Sequence, residues 1–288
     1  ALAEARAAGS GETRRFDAGT EVAMRTRMRL TSELQQAIED GDLRLHFQPK
    51  VDLATGAIVG AEALARWEHR LFGIQPPSRF IPVAEQSGLI AELGEWVLRR
   101  SARFAAALNQ GRATPLPISV NVSPLQFRRG DLVRALERIS LESGIRPQWL
   151  TLELTETVLA ESSPERLATL QRLRDAGFGI SIDDFGTGYS SLAYLRSFPV
   201  SEIKIDRSFV SQFGATRYNR AIIEAVLKIG ASLDAAVCAE GIETEAERQR
   251  LLEMGCRLGQ GYLFSRPVEE RALLELLRRR EAASQHAA

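Results

Sequence analysis

The chain has 288 residues, enough for one large barrel or two modest domains. Its 37 basic and 37 acidic residues cancel, so bulk charge gives no pull toward a nucleic-acid polymer or an anionic membrane. A composition 44% hydrophobic and 26% charged is that of an ordinary globular protein, and no apolar run approaches the ~18 residues of a membrane span. The opening Ala-Leu-Ala-Glu-Ala-Arg lacks the basic, apolar and cleavage regions of a signal peptide. Without an initiator Met it reads as a piece of a longer cytoplasmic polypeptide, whose remainder could carry a membrane anchor. Cys238 and Cys256 fit no disulfide or metal-binding spacing and read as reduced, buried thiols. Of the 37 cations only Lys50, Lys204 and Lys228 are lysines, which fits either chance or a need for ammonium chemistry where Lys is kept.

Residues 1–16 read as a short Ala-rich helix, a Gly-Ser-Gly break and a polar strand. Residues 17–41 read as a linker helix with apolar positions Val22, Met24, Met28, Leu34 and Ile38, too small to bury a core of its own. From Leu43 to Phe47 apolar and polar residues alternate as in a strand. Asp52 to Gly56 is a turn, and Ile58 begins a second strand that Glu62 ends. Further strands are expected at 118–122, 150–154, 179–183, 202–205, 236–239 and 258–261. The helices between them carry their own punctuation. Ser163-Pro164-Glu165 is an N-cap with Pro at N1, stopped at Gly177. Thr244 to Glu247 is a capping box, stopped at Gly255. The run Leu-Arg-Arg-Arg-Glu reads as a solvated helix end, and residues 281–288 as a disordered tail. Strands joined by helical crossovers predict an α/β fold with a mainly parallel sheet, and so many repeats favour a closed barrel. The opening hairpin is the anomaly in that scheme.

Polar residues fall where these strands end: Glu62, Asn121, Glu153, Asp183-Asp184, Lys204, Asp206, Glu240 and Gln260. Asn121, Glu153 and Asp183 follow at intervals of about thirty residues, the length of one βα unit. The C-terminal strand ends of a (β/α) barrel converge on one mouth, where active sites of this fold are built. A lone strand-end carboxylate is more often a helix cap than a ligand. Glu153 and Asp183 sit within apolar strands, where unpaired burial would cost several kcal/mol, and there function is the better reading. Lys204 could serve the site or merely neutralise Asp206. Crowded carboxylates repel, and a hard divalent cation relieves them through oxygen ligands. Zinc fits poorly, because no Cys and none of His46, His69 and His286 joins the cluster. An oxygen-only site beside a lysine suits metal-assisted phosphate-ester hydrolysis.

Glu62-Ala63-Leu64 resembles the name-giving signature of the EAL phosphodiesterases. The likeness continues in order through Phe-Gln-Pro (47–49), Phe-Ile-Pro-Val-Ala-Glu (80–85), Ser-Val-Asn (119–121), Glu-Leu-Thr-Glu (153–156) and Asp-Asp-Phe-Gly-Thr-Gly-Tyr-Ser-Ser-Leu (183–192). It ends with Ile-Lys-Ile-Asp (203–206), Ala-Glu-Gly-Ile-Glu (239–243) and Gly-Gln-Gly-Tyr (259–262). The resemblance implies a TIM-like (β/α)8 barrel over residues 42–280 with one antiparallel strand. It also implies hydrolysis of cyclic di-GMP to linear 5'-pGpG with two Mg²⁺ or Mn²⁺ ions, inhibited by Ca²⁺. Carried over by motif, Glu62, Asn121, Glu153 and Asp183 would be metal ligands, with Asp184 and Asp206 at the second ion. Lys204 would hold the nucleophilic water, with Glu240 and Gln260 assisting. Gln48, Leu64, Arg66 and Gln260 would meet the substrate. Glu156 and Glu243 would tether the loop after Asp184, at a homodimer interface. Arg70, where the family usually has Pro, and the small Ala65 are the departures. Residues 1–16 resemble the last helix of a GGDEF domain, which implies upstream GGDEF and sensory domains. Two competing readings are a non-catalytic cyclic di-GMP receptor and an enolase-like barrel that abstracts a proton from a carboxylic acid.

Overall fold

The computed structural model describes residues 18–129, 132–156, 158, 163–187, 195, 197–211 and 217–286. The expected remnant at residues 1–16 and most of the loop at 188–194 lie outside these residues. Helix α1 (Ala18–Asp40) ends at Gly41, whose φ of 79° only glycine adopts without strain. It is less detached than a linker helix should be, because Leu34 and Ala37 are buried in the same core as the barrel strands.

The period-two stretch that follows forms β1 (Leu43–Asp52) and β2 (Ile58–His69), an antiparallel hairpin closed by a turn in which Asp52 accepts from the Thr55 N–H. Next come β3 (Gly73–Gln75), α2 (Pro77–Ser87), α3 (Ile90–Asn109), β4 (Ile118–Asn121), α4 (Pro124–Arg129), α5 (Leu132–Ser143) and β5 (Leu150–Thr155). The chain continues through α6 (Pro164–Asp175), β6 (Gly179–Phe185), β7 (Glu202–Ile205), α7 (Arg207–Ser211), α8 (Arg217–Ser232) and β8 (Ala236–Ala239). It closes with α9 (Glu245–Glu253), β9 (Leu258–Gly259), β10 (Val268–Glu269) and α10 (Glu270–His286). The caps are those the sequence predicts: Ser163 accepts from the Arg166 N–H, and Thr244 and Glu247 form a reciprocal capping box.

Strands β2, β4, β5, β6, β7, β8 and β9 pair in parallel, and β1 lies antiparallel between β9 and β2 to close an eight-stranded barrel. The anomalous opening hairpin is therefore the closure of the barrel. Two expectations change. Glu62 does not end its strand: β2 runs on to His69, because Ala63, Ala65 and Trp67 stay buried and β3 pairs with its far end. The stretch expected as a tail is helical through His286, since Leu273 and Leu277 bury α10 against the core. No helix among the described residues is long and apolar enough to cross a membrane.

Side chains of a strand alternate between its two faces. Outward positions Ile118, Val120, Leu152, Ile180, Ile182, Ile203 and Ile205 are fully buried beneath the helices. Inward positions Lys50, Glu62, Ser119, Glu153, Ser181, Asp183 and Lys204 are polar, in contrast to the branched apolar layers that commonly fill such barrels.

Candidate active site

The mouth is shaped by a bulge. Between Ile182 and Phe185, β6 carries one residue more than β7, so Asp183 and Asp184 are re-aimed at the strand end. Asp184 holds a φ of 54°, a left-handed conformation that short polar residues tolerate, and its N–H donates to Asp183 Oδ1 at 3.0 Å. Across the mouth, Gln260 follows β9 in a Gly-Gln-Gly turn. A Cβ on Gly261 would meet the Ile242 carbonyl oxygen at 2.1 Å, so only glycine lets this turn lie against the β8 loop.

Lys204 stands at the centre, 1% exposed. Its Nζ lies 2.7 Å from Glu240 Oε1, 2.8 Å from Glu153 Oε2, 3.0 Å from Asp183 Oδ1 and 3.3 Å from Glu62 Oε2. Lys204 thus serves the cluster, and the reading in which it merely neutralises Asp206 falls away. Gln260 Nε2 donates to Glu62 Oε2 at 2.7 Å and to Glu240 Oε1 at 2.9 Å, while Asn121 Nδ2 donates to Glu62 Oε1 at 2.7 Å.

One ammonium does not offset these carboxylates. Burial pushes the Glu62 carboxyl up, with the neighbouring Glu153 charge adding to it. Burial likewise raises Asp183, and it raises Asp184, where Asp206 adds to the effect. Burial pushes Glu240 up to about 8 against the pull of Lys204. Glu153 differs: burial would raise it, but Lys204 and then Lys50 outweigh that and hold it at about 2. Asp183, Asp184 and Glu240 each bring an oxygen to within 4.8 Å of the others. Gln260 Oε1 is buried without a hydrogen-bond partner. A surplus of anionic oxygens and an orphaned amide oxygen fit a hard divalent cation.

The outer candidates are placed more loosely. Asp206 Oδ1 accepts from the N–H and Oγ of Ser208 and so caps α7, although its charge still reaches Asp184. Gln48 is buried and donates to the Ser265 carbonyl at 3.2 Å. Leu64 and Arg66 are half-buried, and the Arg66 guanidinium donates to the Ala65 carbonyl. Glu156 Oε2 accepts from the Gly186 N–H at 3.1 Å, a hold on the start of the loop after Asp184. Glu243 is exposed, and its N–H donates to Glu247. Arg70 pairs on the surface with Asp40 and Asp42.

Beneath the site lies a layer that motif reading did not supply. Lys50 Nζ meets Ser119 Oγ at 2.8 Å, Glu153 Oε1 at 3.0 Å and Glu202 Oε1 at 2.5 Å, and Ser181 Oγ donates to the same Glu202 oxygen. The scarcity of lysine was the available signal. Two of the three stand inside the barrel, while Lys228 is exposed. Cys238 and Cys256 are free and buried, as expected.

The fold and the site together define a (β/α) barrel with one reversed strand that gathers carboxylates around a buried lysine at its mouth. The chain belongs to the EAL domain family, whose model matches residues 31–267, beginning inside α1. It is 40% identical over 259 residues to the bifunctional diguanylate cyclase/cyclic di-GMP phosphodiesterase MucR of Pseudomonas aeruginosa, covering 90% of this chain and 38% of that protein. To the cyclic di-GMP phosphodiesterase NbdA of the same organism it is 39% identical over 278 residues, covering 96% and 36%. The solved structure of the PaMucR phosphodiesterase in its c-di-GMP complex superposes with a TM-score of 0.82 at 42% identity, covering 85% of this chain and 99% of that one. The chain spans about a third to two fifths of the length of the curated relatives it matches.

Proposed function

We propose that this domain hydrolyses cyclic di-GMP to linear 5'-pGpG with two Mg²⁺ or Mn²⁺ ions. The observation that carries the reading is the group of four carboxylates around buried Lys204, in a chain with relatives named for this activity. Asp183, Asp184 and Glu240 would hold cations together with Glu62, Asn121, Glu153 and Asp206. Asn121 gives its amide N–H to Glu62, which leaves its carbonyl oxygen for an ion. When bound, such ions polarise a phosphate and lower the pKa of a water.

The chain's own groups divide the remaining work. Lys204 keeps its charge in a dry setting, because the carboxylates around it outweigh the cost of burial, and it holds the attacking water and the charge that develops there. Gln260 fixes Glu62 and Glu240 against each other through Glu62 Oε2 and Glu240 Oε1, which leaves Glu240 Oε2 to orient that water. Gln48, Leu64 and Arg66 line the approach, Arg66 offering its guanidinium to a phosphate. Glu156 steadies the Asp184 loop, with Glu243 as its second tether at a homodimer interface. On this reading the domain works in the cytoplasm, within a longer signalling chain that carries sensory and GGDEF domains.

The test is chromatography of cyclic di-GMP incubated with the purified protein and Mg²⁺ or Mn²⁺. The expected product is pGpG, lost when Ca²⁺ replaces either ion. Tight binding of intact cyclic di-GMP with no product would make the domain a receptor instead.

A further inference from the structure

The barrel interior holds a column of alternating charge. From floor to mouth it runs Glu202, Lys50, Glu153, Lys204, then Asp183 and Glu240, with contacts of 2.5, 3.0, 2.8, 3.0 and 2.7 Å. Glu153 is the pivot: its side chain is 0% exposed, with Lys50 on Oε1 and Lys204 on Oε2. A carboxylate gripped on one oxygen alone turns about its own bond, whereas one gripped on both has a single orientation.

We infer that Lys50 is a positioning residue: by pinning Oε1 of Glu153 from the barrel floor, it fixes the direction in which Oε2 meets Lys204 and the cation site. The inference rests on the proposed metal-dependent hydrolysis. Three features set Lys50 apart from a routine internal ion pair. It comes from the reversed strand β1, the element that closes the barrel. Ser119 and Glu202 hold its ammonium from two further strands, so its own position is fixed. It reaches no mouth residue except Glu153 among the contacts of the described residues. Partners that orient a ligand from behind commonly tune metal affinity without touching the metal.

The test must separate aim from charge balance. Lys50→Met alone strands the Glu202 charge, so the informative variant is Lys50→Met/Glu202→Gln, which removes a cation and an anion together. Lys50→Gln/Glu202→Gln serves as a second, more polar version. Three quantities are read: the thermal melt, Mn²⁺ binding by calorimetry without substrate, and kcat and KM with cyclic di-GMP. The expected result is a cooperative melt, Mn²⁺ binding weakened about ten- to a hundredfold, and kcat lowered with KM kept. Wild-type Mn²⁺ affinity and kcat in a folded double variant would overturn the role and leave Lys50 as mere charge balance for Glu202. Loss of the cooperative melt in both double variants would also overturn it, making the ammonium a requirement of the fold. If the wild-type protein itself took up no Mn²⁺, the functional reading would fall, and the positioning role with it.

Discussion

Strands β5 and β7 each present two chemistries one residue apart. On β7, Ile203 and Ile205 face outward into the helices while Lys204 faces inward, and on β5 Leu152 and Leu154 flank Glu153 in the same way. All six are buried to a similar degree, yet they are stabilised differently. The outer layer gains by removing apolar area from water, an effect shared among many neighbours and tolerant of small changes in shape. The inner column gains only where each charge meets its opposite, and one missing partner leaves a buried ion unpaired. Equal burial therefore conceals unequal roles: the outer face holds the barrel shut, and the inner face is where chemistry can be done.

The widest separation should come from Glu62→Ala, which removes the carboxylate that Asn121, Gln260 and Lys204 all touch. Turnover of cyclic di-GMP should vanish and Mn²⁺ affinity should fall, as read by product chromatography and calorimetry. Lys204→Ala should lower kcat on the order of a hundred- to a thousandfold while largely preserving substrate affinity. Normal turnover in that variant would remove the water-holding role assigned to it. The adjacent Ile203→Ala should cost about 2–5 kcal/mol of stability in denaturant titration but, unlike Lys204→Ala, leave kcat per folded molecule unchanged. If Ile203→Ala impaired kcat as much as Lys204→Ala does, the two faces would not be separable.

Much of this contrast could be read from the sequence, because it is written in local pattern. A carboxylate or lysine inside an apolar strand, as at Glu153, Asp183 and Lys204, is legible from its immediate neighbours. The positions of the parallel strands and the caps at Ser163 and Thr244 were legible for the same reason. Glu62 was misplaced relative to its strand end because β2 continues on pairing supplied by β1 and by β3, a three-residue strand with no alternation of its own. Asp206 presents the same local signal as Asp183, yet Ser208, two residues on, also draws its Oδ1 into a helix cap, a second role that signal does not carry. The floor layer was illegible for another reason. Lys50 finds Ser119, Glu153 and Glu202 at separations of 69, 103 and 152 residues, and only closure of the barrel brings them together.

That column of stacked charges also restricts how the sequence can drift. Replacing any one of positions 50, 153, 202 or 204 by a neutral residue strands its neighbour, at about 3–5 kcal/mol for a broken buried pair. Such a loss consumes much of the ~5–15 kcal/mol that a domain has in hand. Descendants that keep the fold should therefore exchange Lys50 and Glu202 together or keep both, whereas those that also keep the aim of Glu153 should retain the pair.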